Sequence, residues 1–170
     1  MTIIKIIEGD LLNAKETILC QQCNCVTMLS HGLTAQVAKK FPWADVYKRR
    51  KPKTANCTSE PSIPGTIQID HDPEEEYFEG KTIIHMFGQW LPGIPGKFYP
   101  AYQDLPKVND GSADRIKYFK ECLQKLDALK LPVPVAMPYK IGCGLAGGNW
   151  PAYQKMLEEA RTKIVLYKFD

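Results

Sequence analysis

Four short segments carry side chains or backbone that could do chemistry. The densest is Pro138-Tyr139-Lys140-Ile141-Gly142-Cys143-Gly144-Leu145-Ala146-Gly147-Gly148-Asn149-Trp150, with four glycines within seven residues. Glycine lets a backbone approach an anion closely, and a following helix start adds positive potential. A merely tight turn needs one or two glycines, so this run reads as a phosphate cradle. It lacks the Gly-Lys-Ser/Thr ending of a P-loop and the spacing of the dinucleotide G-x-G-x-x-G motif. Asp10, within Gly9-Asp10-Leu11, could accept from an exocyclic amine such as adenine N6, or act as an ordinary turn residue. Asn24 could bond a sugar hydroxyl or serve a turn. His31, just before Gly32, could bind an anion or move a proton, although a lone loop histidine is usually solvated.

These residues need elements to hold them, and the apolar patterning supplies the elements. Strands are expected over 2–8, 17–23, 65–70, 81–89, 133–139 and 163–169, where β-branched and apolar residues cluster. Helical spacing is expected from Gly32 to Phe41, and from Ser112 to Lys130 with Ser112 as its cap. A third helix is expected to start at Asn149 or Trp150, with Pro151 in its first turn. Residues 44–64 read as an irregular excursion, and 91–106 as a long loop of the kind that often carries function. Strands alternating with helices imply an α/β sheet covered on both faces. Ligands then sit beyond the carboxyl ends of strands. That rule selects Gly9-Asp10-Leu11, residues 24–32 and residues 142–148.

Composition narrows the class. The chain has 170 residues, 24% charged and 44% hydrophobic, which is one ordinary domain and far from a disordered chain. No run suits a membrane span and no signal peptide is recognisable, so an intracellular protein, cytoplasmic or nuclear, is expected. The net charge of +3 is unevenly placed: residues 39–53 carry +6 and the remainder −3. The block Lys48-Arg49-Arg50-Lys51-Pro52-Lys53 could bind nucleic acid, resemble a nuclear localisation stretch, or form a solvated loop. Six cysteines stand at 20, 23, 25, 57, 122 and 143. The cluster Cys20, Cys23 and Cys25 lacks a matching second half for zinc, so no metal is expected and reduced, buried thiols are.

Taken together, several motifs carry a resemblance. Gly9-Asp10-Leu11, Gln22-Cys23-Asn24-Cys25, Val37-Ala38-Lys39-Lys40-Phe41-Pro42, Ile84-His85-Met86-Phe87-Gly88-Gln89 and Ile141-Gly142-Cys143-Gly144-Leu145 occur in the order of a macro domain. The chain resembles small stand-alone macro proteins, such as those of large DNA viruses. It also resembles the branch holding the ADP-ribose-1″-phosphate phosphatase and the terminal ADP-ribose glycohydrolase. The resemblance spans about residues 3–169 and implies one macro domain over 1–170. It implies a three-layer α/β/α sandwich with a mixed central sheet. It also implies that ADP-ribose binds at the strand ends, with adenine at Asp10 beside Leu11 and near Tyr167. The distal ribose would lie near Asn24. The diphosphate would lie on two loops, Ser30, His31, Gly32, Leu33 and Thr34 in one and Gly142, Cys143, Gly144, Leu145 and Ala146 in the other.

Two departures shape the expected chemistry. The glycohydrolase branch places an aspartate directly after Gly-Cys-Gly-Leu, where this chain has Ala146. The segment from Asn24 to Gly32 is also longer than in many relatives. Hydrolysis would then use a water oriented by the ligand's phosphate and by Asn24 or His31, the two candidate catalytic residues. Three readings follow: an ADP-ribose-binding hydrolase acting on a modified macromolecule or on ADP-ribose-1″-phosphate, a non-catalytic ADP-ribose reader, and a basic-patch nucleic-acid binder. No cofactor is expected, no membrane partner, and a monomer.

Overall fold

The computed structural model describes residues 3–76, 79–97 and 99–169. Six strands form one mixed sheet. They are β1 (Ile3–Glu8), β2 (Ile18–Gln22), β3 (Ile67–His71), β4 (Thr82–Met86), β5 (Val135–Pro138) and β6 (Ile164–Lys168). Their spatial order is β1-β6-β5-β2-β4-β3, and all pairs are parallel except β3 with β4. The carboxyl ends of β1, β2, β4, β5 and β6 therefore open along one edge, where a ligand would lie. No described helix is long and apolar enough to cross a membrane.

Alternation along each strand divides the core. Ile18, Cys20, Ile84, Met86, Val135, Met137, Ile164 and Leu166 face helices α2 (Ser112–Ala128) and α3 (Trp150–Glu159). Leu19, Ile83, Ala136, Val165 and Tyr167 face helix α1 (Leu33–Lys40) on the other side. This is the expected α/β/α sandwich, with one helix on one face and two on the other. Each fully buried large apolar side chain contributes roughly 1.5–3 kcal/mol, so the strand ends rest on a firm base.

The helix ends show how local chemistry sets the boundaries. Ser112 does not cap α2. Gly111 takes the cap position and its N–H donates to Asp114 at 2.9 Å, so the carboxylate reaches back from the first turn. Asn149 caps α3, its side-chain oxygen accepting from Ala152 N–H at 3.2 Å, with Pro151 in the first turn as expected. By contrast, α1 starts after Gly32 with no side-chain cap. β4 ends at Met86, three residues early, because Gly88 N–H turns back onto the Met86 carbonyl at 2.9 Å.

A third apolar cluster lies under the irregular excursion and the long loop. Cys23, Cys25, Val26, Val46, Tyr47, Cys57, Phe87, Trp90 and Leu105 fill it. Cys20 belongs to the α2–α3 core instead, so the Cys20-Cys23-Cys25 cluster is divided between two sides of the sheet edge. All six cysteines are free thiols. Burial pushes the Cys23 thiol up to about 12 and the half-buried Cys143 thiol up to about 11.

Candidate functional site

The site grows from the carboxyl ends of β2 and β5. A cleft of about 260 Å³ opens there. Its lining includes Asn24, His31, Leu33, Thr34, Gly142, Gly144, Leu145 and Ala146 from the sequence-derived candidates. The two expected phosphate loops meet across it. A β-carbon on Gly32 would touch the Leu145 side chain at 3.5 Å.

The backbone of the glycine loop explains what the cleft can hold. Gly142 has φ +77°, and a β-carbon there would lie 2.7 Å from the Tyr153 ring, so only glycine lets the chain turn over α3. Beyond it, Cys143 N–H donates to Lys140 O at 2.9 Å, Gly147 N–H to Gly144 O at 3.0 Å, and Gly148 N–H to Gly142 O at 3.1 Å. The N–H groups of Gly144, Leu145 and Ala146 have no acceptor among the described residues. Gly144 meets nothing within 4 Å of a would-be β-carbon, so the tip is open. Facing it, the first turn of α1 offers the N–H groups of Leu33, Thr34 and Ala35, which an α-helix cannot satisfy internally and which no side chain caps. Two sets of unmet donors thus converge on one cleft, an arrangement suited to an anion. The α3 terminus contributes less than the glycine spacing implied, because Asn149 already occupies it.

A buried arginine holds this loop in place. Arg115 on α2 is 1% exposed and grips Asp110 through two bonds of 3.0 and 2.8 Å. The same guanidinium donates to the carbonyls of Leu91, Gly93 and Ala146 at 3.0, 2.6 and 3.1 Å. Asp110 also accepts from the Trp90 and Leu91 N–H groups. One side chain thereby ties the 91–94 wall, which contributes Pro92 and Gly93 to the cleft, to the glycine loop.

The floor is polar. Gln22 donates to Gln89 Oε1 at 2.6 Å, and Gln89 donates to Leu91 O at 2.9 Å. Gln22 Oε1 is buried without a partner among the described residues. Neither glutamine was singled out from sequence as a site residue, nor were Tyr47, Pro92, Gly93, Tyr139 and Lys140. The available signal is that Gln22 is a polar residue ending apolar β2 and Gln89 lies three residues beyond apolar β4.

The other candidates fall in distinct places. Asn24 lines the cleft, yet its side-chain oxygen accepts from Val26 N–H at 3.0 Å and Thr27 N–H at 2.9 Å, while Nδ2 donates to Thr27 Oγ1 at 3.1 Å. It shapes the 24–29 loop, and one amide N–H is left for a ligand. His31 is exposed in the cleft, its carbonyl accepting from Thr34 Oγ1 at 2.8 Å. Ser30 borders a neighbouring hollow formed with Leu29, Lys48 and Pro52. Cys143 packs against the α2–α3 core. Asp10 accepts from Leu12 N–H at 3.0 Å through one oxygen, and Leu11 is buried beneath it. Tyr167 is 7% exposed in the α1-side core, with its hydroxyl bonded to Glu16, so it supports the Gly9-Asp10 turn from below.

The basic run does not form a free cationic patch. Arg50 is buried, donating to Thr27 O at 2.8 Å and Asn24 O at 2.5 Å while stacking over Tyr47 at 4.5 Å. Burial lowers its pKa. Arg49 makes a two-pronged pair with Asp70 at 2.8 and 2.5 Å. Asp70 in turn accepts from the fully buried His85 at 2.7 Å. Burial alone would raise the Asp70 carboxyl, but hydrogen bonds from His85 and Arg49 hold it at about 2. Arg49 therefore pins the excursion to β3 and Arg50 holds it to the 24–27 loop, which leaves the paired Arg49 and a few lysines as the exposed charge.

No family model matches the sequence, and no curated protein matches it. Solved structures match over nearly the whole chain. A protein of unknown function from Bacteroides thetaiotaomicron is 19% identical, with a TM-score of 0.61 and 99% of each chain covered. The DarG macrodomain of Mycobacterium tuberculosis is 20% identical, with a TM-score of 0.60, over 95% of this chain and 96% of that one. The DarG macrodomain of Thermus aquaticus is 20% identical, with a TM-score of 0.55, over 98% and 97%. The fold shared with them is the macrodomain fold.

Proposed function

We propose that this macrodomain fold binds ADP-ribose, free or attached to a macromolecule, and that residues 1–170 act as one such domain. The observation that carries the reading is the set of unmet N–H groups at Gly144, Leu145 and Ala146, facing the uncapped start of α1. A diphosphate fits that setting, because neutral amides stabilise its charge without needing a paired cation. Asp10 keeps one oxygen for the adenine amine, the other being held by Leu12 N–H. The remaining Asn24 N–H and the Gln22 oxygen suit ribose hydroxyls. Calorimetry with ADP-ribose tests this: one-to-one binding is expected, and no heat at millimolar ligand would overturn it.

A second reading, hydrolysis of the ADP-ribose linkage, is favoured by one observation. His31 is exposed and lines the cleft beside the proposed diphosphate seat. In that reading a water attacks the anomeric carbon, its bond to the leaving group breaks, and the water's proton passes toward His31 or a ligand phosphate oxygen. Ala146 supplies no carboxylate, and the Asn24 oxygen is committed to its loop. Positioning would then provide much of the acceleration. Release of ADP-ribose from a modified protein or nucleic acid, or of phosphate from ADP-ribose-1″-phosphate, is the assay. Loss of turnover with retained binding in His31→Ala supports the reading, and inactivity of the unaltered protein on all substrates leaves a reader.

A further inference from the structure

Two lysines approach the ring of Tyr139, which lines the cleft with Lys140, and neither is neutralised by a carboxylate among the described residues. Tyr139 follows β5, and its ring is fixed edge-on against Trp150 with centroids 5.2 Å apart. The Lys140 ammonium lies 5.9 Å from the centre of that ring, and the Lys168 ammonium 5.3 Å. β5 and β6 run in register, Pro138 opposite Tyr167, which brings the two lysines to neighbouring strand ends. Neither forms an ion pair among the described residues. Glu8 is the register partner of Lys168 on β1, yet makes no such pair with it.

Two further features point inward. Lys140 has φ +61°, a left-handed conformation uncommon for a residue with a side chain, and it lines the cleft. Lys168 O accepts from Gly9 N–H at 2.9 Å, so Lys168 sits beside the Asp10 turn. Like charges gathered on one rim repel each other unless an anion lies between them.

We propose that Lys140 and Lys168 form a second anion subsite, which takes a phosphate monoester on the adenosine ribose of the bound nucleotide. This rests on the ADP-ribose reading, since Asp10 places the adenosine half next to these lysines. The site then distinguishes nucleotides that carry a third phosphate from ADP-ribose itself. Both ammoniums approach this one tyrosine ring, and the ribose phosphate completes the charge balance.

The test compares ADP-ribose with ADP-ribose 2′-phosphate by calorimetry, in the unaltered protein and in a Lys140→Gln/Lys168→Gln double variant. The 2′-phosphate is expected to bind about tenfold tighter, the scale of one hydrogen bond to a charged group. That preference should shrink as salt is raised and fall to near parity in the double variant. ADP-ribose binding without a preference for the 2′-phosphate overturns this inference and leaves the ADP-ribose reading standing. A preference that survives in the double variant also overturns it, because the phosphate would be held elsewhere. Binding of neither ligand overturns both. Thermal unfolding of the double variant confirms that it is folded, and the single variants serve if it is not.

Discussion

Replacing Arg115 by methionine removes a charge and a five-donor fork from a site that is 1% exposed, with its partner Asp110 side chain 7% exposed. The substitution breaks two bonds to Asp110 and those to the Leu91, Gly93 and Ala146 carbonyls. Removing one partner of a buried ion pair costs about 3–5 kcal/mol, because the remaining charge is left uncompensated. Here the Trp90 and Leu91 N–H groups still reach Asp110, which places the expected loss near the lower end, roughly 3 kcal/mol. Urea unfolding reads this as a lower midpoint with an unchanged slope. Binding should suffer separately, since Ala146 O is the point where the guanidinium holds the glycine loop. At a temperature where the variant is fully folded, ADP-ribose affinity is expected to fall at least about tenfold, about 1.4 kcal/mol. A double variant with Asp110→Asn should recover part of the stability but not the affinity. An Arg115→Met protein that loses under about 1 kcal/mol, or binds ADP-ribose unaltered, would refute the clamp.

Other perturbations test separate parts of the account. Gly144→Glu should fold normally, because nothing lies within 4 Å of its new β-carbon, and should lose ADP-ribose binding through a carboxylate placed in the cradle; retained affinity in titration would show the cradle to be elsewhere. Asp10→Ala is expected to weaken binding by about 1–3 kcal/mol, measured by calorimetry against the unaltered protein. Asp70 has a folded pKa of about 2, below its ordinary 3.8, so its stabilising effect is present above the ordinary value and lost as pH falls from about 4 to about 2. Asp70→Asn should flatten that part of the stability–pH curve, and an unchanged acid limb would reject the Arg49–Asp70–His85 linkage.

Much of the architecture was legible because it depends on local pattern. The apolar runs Ile18-Leu19-Cys20 and Val135-Ala136-Met137 mark buried strands, whose successive side chains the pleat sends to the two core layers. The glycine loop was legible for the same reason, since four closely spaced glycines mark a backbone that must turn and lie bare. What was hidden depends on long-range partners. Arg50 sits in a run of basic residues that reads as solvent-facing, yet the Asn24 and Thr27 carbonyls, over twenty positions away, draw it inside. Arg115 looks like a charged residue on an amphipathic helix until the loops carrying Leu91, Gly93 and Ala146 fold around it. Tyr167 reads as an aromatic free to meet a ligand, but Glu16, 151 positions earlier, takes its hydroxyl. Asn24 reads as a ligand-facing residue and does line the cleft, but its oxygen serves the loop that follows it.

In the proposed complex the backbone N–H groups of Gly144, Leu145 and Ala146 are the donors that hold a diphosphate. Amide NMR of ¹⁵N-labelled protein titrated with ADP-ribose tests it at those three atoms. Saturable shifts are expected at Gly144, Leu145 and Ala146 together with Leu33 and Thr34, while Cys143, Gly147 and Gly148, whose N–H groups already have acceptors, move less. Binding that saturates with the three loop amides unmoved, or no binding at all, would contradict it.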